Sequence, residues 1–190
     1  EPVLRAPRIV ALGGGHGLSA MLRGLKRYTR DITAIVTVAD DGGGSGMLRE
    51  DLGMLPPGDI RSCILALANT EPTMQQLLEY RFTDGRLKGQ SFGNLFLAAM
   101  IGISGSFDEA VQRMADVLAI TGKVLPVTNQ DVQLEAEFDD GSTVLGESKI
   151  FYAKKLTDCR IRQVRLVPEH PQPLQDSLDA IAAADLIVLG

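Results

Sequence analysis

The stretch RIVALGGGHGLS, residues 8–19, indicates the fold class of this chain most clearly. Its aliphatic, β-branched start passes directly into glycines, and leucines at helical spacing follow. This pattern predicts a buried strand, a glycine loop and the first turn of a helix. Such a loop exposes backbone N–H groups at the positive end of the helix dipole, which favours phosphate. The first candidate phosphate-binding residues are Gly13, Gly14, Gly15, His16 and Gly17.

The same pattern returns in ITAIVTVADDGGGSG, residues 32–46. Parallel strands joined by a helix end at the same edge of a sheet, so we expect both loops to form one site. Acidic residues after the second strand suit a ribose hydroxyl or a hard cation such as Mg²⁺, with Asp41 as the candidate metal ligand. A carboxylate-stabilised turn is the structural alternative. The candidate residues of this loop are Asp40, Asp41, Gly42, Gly43, Gly44 and Ser45.

Composition excludes several classes of protein. A length of 190 residues favours one domain, residues 1–190, and a net charge of −5 argues against a nucleic-acid surface. Apolar runs are too short for a membrane span. The N-terminus lacks a signal-peptide pattern, and the two cysteines form no CxxC motif, which together favour the cytoplasm.

The remaining pattern predicts an α/β chain. Helical apolar spacing dominates the middle of the chain, and alternation around Asp140-Gly141 predicts a β-hairpin. We expect strands at residues 162–168 and 186–189. The predicted fold is a Rossmann-like three-layer α/β fold with a mainly parallel sheet, a helical middle segment and a β-hairpin. Because the sequence stops at the end of a core-type strand, we expect it to lack a C-terminal region.

Further candidates lie at two predicted helix starts. In PPGDIR, Asp59 sits where an N-cap belongs, and a cation at Arg49 or Arg61 would balance a diphosphate. In SFGN, Ser91 and Asn94 begin another helix, so simple capping is an equally good interpretation of both.

The first loop departs from two well-known phosphate motifs. Its glycines do not follow GxGxxG, since Leu18 stands at the third small position, and no Lys-Ser/Thr completes a P-loop. A tight strand-to-helix turn without ligand is the alternative. His16 has no partner at metal-ligand spacing, so we expect a loop residue that touches ligand rather than a catalytic base.

Several segments together resemble one family. They are GGGHGLS, ITAIVTVADDGGGSGMLR, LGMLPPGDIRSC, YRF, SFGNLFLAA, KVLPVT and GES, which span nearly the whole chain. They look like the YvcK-type gluconeogenesis factors, which share a superfamily with the 2-phospho-L-lactate transferase CofD. Members often carry Thr where His16 stands here, a difference that would alter one phosphate hydrogen bond.

The resemblance implies a Rossmann-like cytoplasmic bacterial protein linked to cell shape and gluconeogenic growth. It implies a UDP-sugar ligand, typically UDP-N-acetylglucosamine, with no established turnover, whereas CofD transfers a phospholactyl group from a nucleotide donor with Mg²⁺. A non-enzymatic sensor and a CofD-like transferase are therefore the two competing functions, and the sensor is favoured. A protein partner in cell-envelope regulation and a homo-oligomer are also compatible with the resemblance.

Overall fold

The computed structural model describes residues 5–190. The N-terminal segment, in which the sequence shows no signal-peptide pattern, lies partly outside the described residues. The strands are β1 (Ile9–Gly13), β2 (Ile32–Val36), β3 (Lys123–Pro126), β4 (Gln133–Phe138), β5 (Thr143–Leu145), β6 (Ile161–Val167) and β7 (Leu186–Leu189). The helices are α1 (Gly15–Leu25), α2 (Gly43–Leu52), α3 (Gly58–Leu67), α4 (Pro72–Glu79), α5 (Phe92–Gly102), α6 (Phe107–Val117), α7 (Glu147–Leu156) and α8 (Gln175–Ala183).

Four strands form a parallel sheet in the order β3-β2-β1-β7. The chain moves outward from β1 to β3 and returns on the other side of β1 with β7, so the strand order reverses between β1 and β7. In open α/β sheets ligands bind outside the carboxyl ends of the strands at such a reversal. The glycine loop after β1 lies at this point, and the α/β prediction is confirmed.

A second, antiparallel sheet has the order β5-β4-β6. The predicted hairpin is confirmed as β4 and β5, and the predicted strand at residues 162–168 is confirmed as β6. Strand β3 and helix α7 were not predicted. Strand β3 forms one edge of the parallel sheet, and α7 starts beside the loop after β2, where Ser148 contacts Asp41.

The core lies between the parallel sheet and helices α1 and α3. Leu18 and Leu22 of α1 and Ile60 and Ile64 of α3 are fully buried with the interior of the sheet. Cys63 was predicted to be a buried free thiol and is one. Burial raises the pKa of this thiol to about 12, so it behaves as a small apolar side chain.

At the opposite edge of the sheet, Arg8 and Asp185 join the starts of β1 and β7. The Arg8 guanidinium lies 2.9 Å from the Asp185 carboxylate, and the backbone N–H of Arg8 donates to the same carboxylate.

No helix within residues 5–190 is both long enough and apolar enough to traverse a bilayer. The single-domain organisation stays a prediction.

Candidate functional site

The N-terminus of α1 faces a carboxylate from α3. A Cβ at Gly14 would lie 2.5 Å from Oδ2 of Asp59 and would overlap the methyl group of Thr37. Oδ1 of Asp59 lies 3.6 Å from the Cβ position of Gly15, and the Gly15 N–H acts to lower the pKa of this carboxyl group. Asp59 therefore presents an anionic oxygen to the amides that the sequence assigned to phosphate.

The loop after β2 meets this carboxylate from the other side. Oδ1 of Asp40 accepts a hydrogen bond from the Gly42 N–H at 2.9 Å, which confirms the turn-stabilising alternative for Asp40. Its Oδ2 lies 3.2 Å from the Cβ position of Gly58, and the Ser45 hydroxyl packs against the same position. The structure thus brings both glycine loops together around the start of α3.

Four carboxyl groups share this region, and the pKa values of two of them are raised. Burial, and then repulsion from Asp40, raise the pKa of Asp59, while Gly15, His16 and Arg61 act in the opposite direction. Partial burial, followed by repulsion from Asp40, Asp59 and Asp41, raises the pKa of Glu147. Shifted carboxyl groups in a cleft are typical of functional sites.

Asp41 contacts a helix that lies far away in the sequence. Its Oδ1 accepts a hydrogen bond from the backbone N–H of Ser148 at 2.7 Å, across 107 residues. Gly146, the N-cap of α7, has φ +106°, and a Cβ there would overlap Oδ2 of Asp41. Asp41 therefore stabilises the N-terminus of α7. The metal role assigned to it stays a prediction.

The second loop continues into the first turn of α2. Gly42 is the N-cap, and α2 starts at Gly43, which has φ +50°. Gly44 packs against the side chain of Gln90, whose Oε1 lies 3.1 Å from the Gly44 Cβ position. This part of the second loop is thus enclosed by the segment before α5.

Arg61 lies beside the carboxylates, and burial followed by repulsion from Arg81 lowers its pKa. A Cβ at Gly93 would stand 2.6 Å from Cδ of Arg61, so the start of α5 covers the arginine stem. Ser91 is fully buried, and its hydroxyl accepts from the Asn94 N–H at 3.2 Å. Ser91 is therefore the N-cap of α5, whereas Asn94 contributes only its backbone N–H, and its buried Oδ1 has no partner among residues 5–190. The ligand-binding role of both residues stays a prediction.

Two details differ from the sequence predictions. Asp59 was expected at the N-cap of its helix, but Pro57 is the N-cap and Asp59 lies in the first turn. The carboxylate is thereby free to reach α1. Arg49 was offered as a cation for diphosphate, but its guanidinium donates to the Asp131 carboxylate and to the Val132 carbonyl, the latter at 2.9 Å.

The site contains one acidic residue that sequence reasoning did not select. Glu147 belongs to the GES segment, which carried only family resemblance, and it follows a hairpin rather than a strand of the parallel sheet. No local spacing connects it to Asp40 or Asp59. Glu147 is positioned by the contacts of its two neighbours with Asp41. Gly146 packs against the Asp41 carboxylate, and the N–H of Ser148 donates to it. Such tertiary contacts cannot be read from local sequence.

The donor set allows a test of the Mg²⁺ prediction. Within the described chain, no three Asp, Glu, His or Cys side chains are grouped closely enough to hold a metal alone. Mg²⁺, however, usually binds through one or two carboxylates together with substrate phosphates and water. Asp40 and Asp59 fit such a shared ion, whereas an all-protein metal cage does not fit.

Comparison with known proteins adds relatives of greater length. A family model described as 2-phospho-L-lactate transferase CofD matches residues 9–190. A curated relative from Thermoanaerobacterium thermosulfurigenes is 63% identical over 187 residues, which is 98% of this chain and 58% of the relative. The Bacillus subtilis relative, named gluconeogenesis factor, is 52% identical over 97% of this chain and 57% of its own length.

A solved structure agrees with these matches. The crystal structure of a Bacillus halodurans protein of the UPF0052 family superposes with a TM-score of 0.92 at 46% identity. The match covers 98% of this chain and 59% of that protein. The present chain therefore spans less than two thirds of the relatives it matches.

Proposed function

Because the chain belongs to the 2-phospho-L-lactate transferase CofD family, we propose that it forms the ligand-binding part of a regulatory gluconeogenesis factor. The ligand in this proposal is a nucleotide sugar of the UDP-N-acetylglucosamine type. The resemblance to gluconeogenesis factors that the sequence indicated is confirmed by the curated relatives. The ligand, the cytoplasmic location, the effects on cell shape and gluconeogenic growth, the envelope partner and a homo-oligomer belong to the proposal.

One observation carries the proposal: the start of α1 already faces an anionic oxygen. The Asp59 carboxylate lies against Gly14 and Gly15 at the point where the strand order of the sheet reverses. Amides that face a carboxylate oxygen can face a phosphate oxygen as well. Gly14 lacks a Cβ, which leaves this approach open.

The same carboxylate needs a counter-charge when a diphosphate arrives. Phosphate oxygens beside Asp40 and Asp59 would repel both groups, and the raised pKa of Asp59 shows that negative charge is already costly there. A Mg²⁺ ion shared by these carboxylates and the diphosphate would remove the repulsion. When bound, such an ion supplies positive charge to the phosphate oxygens.

A CofD-like transferase is the second candidate. The raised pKa values of Asp59 and Glu147 favour it, because a carboxyl group transfers protons more efficiently near neutral pH when its pKa is raised towards that pH. Binding and turnover would use the same loops. The two functions therefore differ in the fate of the ligand rather than in its position.

Titration calorimetry with UDP-N-acetylglucosamine and Mg²⁺ tests the binding. Gly17 lies in the exposed first turn of α1, and a Cβ there would meet only the Gly190 carbonyl carbon at 3.6 Å. Gly17→Val should therefore fold and yet weaken binding at least tenfold, because its branches obstruct the amides. Gly24→Val, at an exposed site on the same helix with open space around it, is the matched control and should bind normally.

Equal affinity of the two valine variants would overturn the phosphate site. Nucleotide release is measured in the same samples with plausible acceptors. Mg²⁺-dependent release that is lost in Asp59→Asn would establish the transferase, and binding without release would support the sensor.

A further inference from the structure

An apolar cavity opens beside the glycine loops at the carboxyl ends of β2 and β3. Its volume is about 230 Å³. Its walls come from the segments after both strands, from β4 and β6, and from a proline-containing segment before α8. The apolar lining includes Val38, Ala39, Val127, Val132, Leu166 and Pro173.

The cavity adjoins the proposed phosphate site directly. Thr37 lines it and also packs its methyl group against Gly14. Ala39 lines it and immediately precedes Asp40. A ligand whose phosphates lie at the start of α1 would therefore extend its next group into this cavity.

Among the lining residues one side chain is ionisable. Glu147 reaches the cavity from the start of α7, where the bond from Ser148 to Asp41 fixes the backbone. Its carboxyl group lies close enough to Asp40 and Asp59 for electrostatic repulsion from both to raise its pKa, after the larger effect of burial. The cavity thus combines largely apolar walls, which include the two threonines Thr37 and Thr128, with one ionisable group, Glu147.

Hydrogen bonds hold the walls in place. The guanidinium of Arg49 donates to the Val132 carbonyl at 2.9 Å. The N–H of Leu174 donates to the Val127 carbonyl at 2.9 Å, and the hydroxyl of Thr128 donates to the Gln172 carbonyl. Walls fixed by contacts of the protein with itself are typical of a preformed ligand pocket.

We propose that this cavity receives the nucleobase of the ligand, with its flat faces against the apolar walls and its polar edge hydrogen-bonded to Glu147. A sugar would bury several hydroxyl groups against walls that offer few partners, which is unfavourable. Uracil buries two apolar faces and carries its N3–H on the polar edge, where a carboxyl oxygen accepts it. This inference rests on the proposed nucleotide binding and adds the location of the base.

Leu166 and Val164 allow a matched test. Both lie on β6, two residues apart and so on the same face, and both are exposed, but only Leu166 lines the cavity. Leu166→Trp should fill the cavity and weaken UDP-N-acetylglucosamine binding at least tenfold in calorimetry. Val164→Trp should bind as the unaltered protein does. Pyrophosphate, which lacks a base, should bind both variants equally.

The outcomes separate this inference from the one on which it rests. If the unaltered protein does not bind UDP-N-acetylglucosamine, the proposed function fails and the base site fails with it. If the unaltered protein and Leu166→Trp bind it equally, the base site alone is overturned. Loss of pyrophosphate binding in Leu166→Trp also counts against the base site, because the effect would then not be confined to the cavity.

Glu147→Leu provides a second measurement, because it removes the hydrogen-bonding oxygens and leaves the volume of the cavity nearly unchanged. It should weaken UDP-N-acetylglucosamine binding several-fold and leave pyrophosphate binding intact. Unchanged affinity for UDP-N-acetylglucosamine, or an equal change for both compounds, would contradict the contact of Glu147 with the base.

Discussion

Asp59 is the residue on which the site depends most. It lies in the first turn of α3, where a carboxylate is normally favoured by the helix dipole. Nevertheless its pKa is raised, because burial and the neighbouring Asp40 outweigh the effect of the Gly15 N–H. The fold therefore keeps a carboxylate in a position that opposes its charge, which is the pattern of a functional rather than a stabilising group.

Replacing Asp59 with Asn should stabilise the fold at neutral pH. A carboxyl group whose pKa is higher in the folded state than in the unfolded state destabilises the fold once pH exceeds the folded pKa. This cost disappears as pH falls below the unfolded value of about 3.9. Thermal unfolding from pH 7 to pH 3 should show a higher Tm for Asp59→Asn at pH 7 and a shrinking difference on acidification. A difference that grows towards acid pH would contradict the direction of the shift.

The residues of the site were predictable from sequence to different degrees. Strand-to-glycine patterns sufficed to identify both loops, since those patterns are local. The partner of Asp41 was not predictable, because Ser148 lies 107 residues away and only the fold brings it near. Glu147 was missed for the same reason.

Helix α7 forms the link between the small sheet and the loop after β2. It starts at Glu147 directly after β5, and Asp41 accepts a hydrogen bond from its first turn. Its sequence has no clear apolar stripe, and none of its residues is buried. This explains why apolar spacing did not predict it and why its position depends on its N-terminus.

Gly146→Ala should release α7 from that position. A Cβ would overlap the Asp41 carboxylate at a φ of +106°, and we expect a loss of about 1–3 kcal/mol in the free energy of unfolding. Gly141→Ala is the control, because φ is +85° there but the surrounding space is open. Urea unfolding should show the larger loss for Gly146→Ala. Equal losses would mean that the contact with Asp41 contributes nothing beyond backbone strain.

Strand β3 shows a different limit of sequence reasoning. It is only four residues long and ends in Pro126, which is tolerated because it is the last residue of an edge strand. Its sequence KVLP contains one β-branched residue, and the charged Lys123 and Pro126 limit its apolar run to two residues, so composition does not indicate a buried strand there. The sheet that it completes was nevertheless predicted, because β1, β2 and β7 carry the clearer β-branched pattern.

Strand β7 is exposed on both faces. Leu186, Ile187 and Leu189 are 48%, 46% and 80% exposed, although β7 pairs in parallel with β1, and consecutive residues of a strand point to opposite faces. Parallel strands are normally buried on both faces. The relatives that this chain matches are longer than it.

The proposed function requires that the loops after β1 and β2 form one binding site. Glycine-labelled NMR, with titration of UDP-N-acetylglucosamine and Mg²⁺, tests this requirement. Amide signals of Gly15 and Gly17 should shift together with those of Gly43 and Gly44, at one ligand affinity. The signal of the hairpin residue Gly141, whose Cβ position has no other group within 4 Å, should not shift. A titration that shifts the signals of one loop alone, or of neither, would show that the two loops do not form one site.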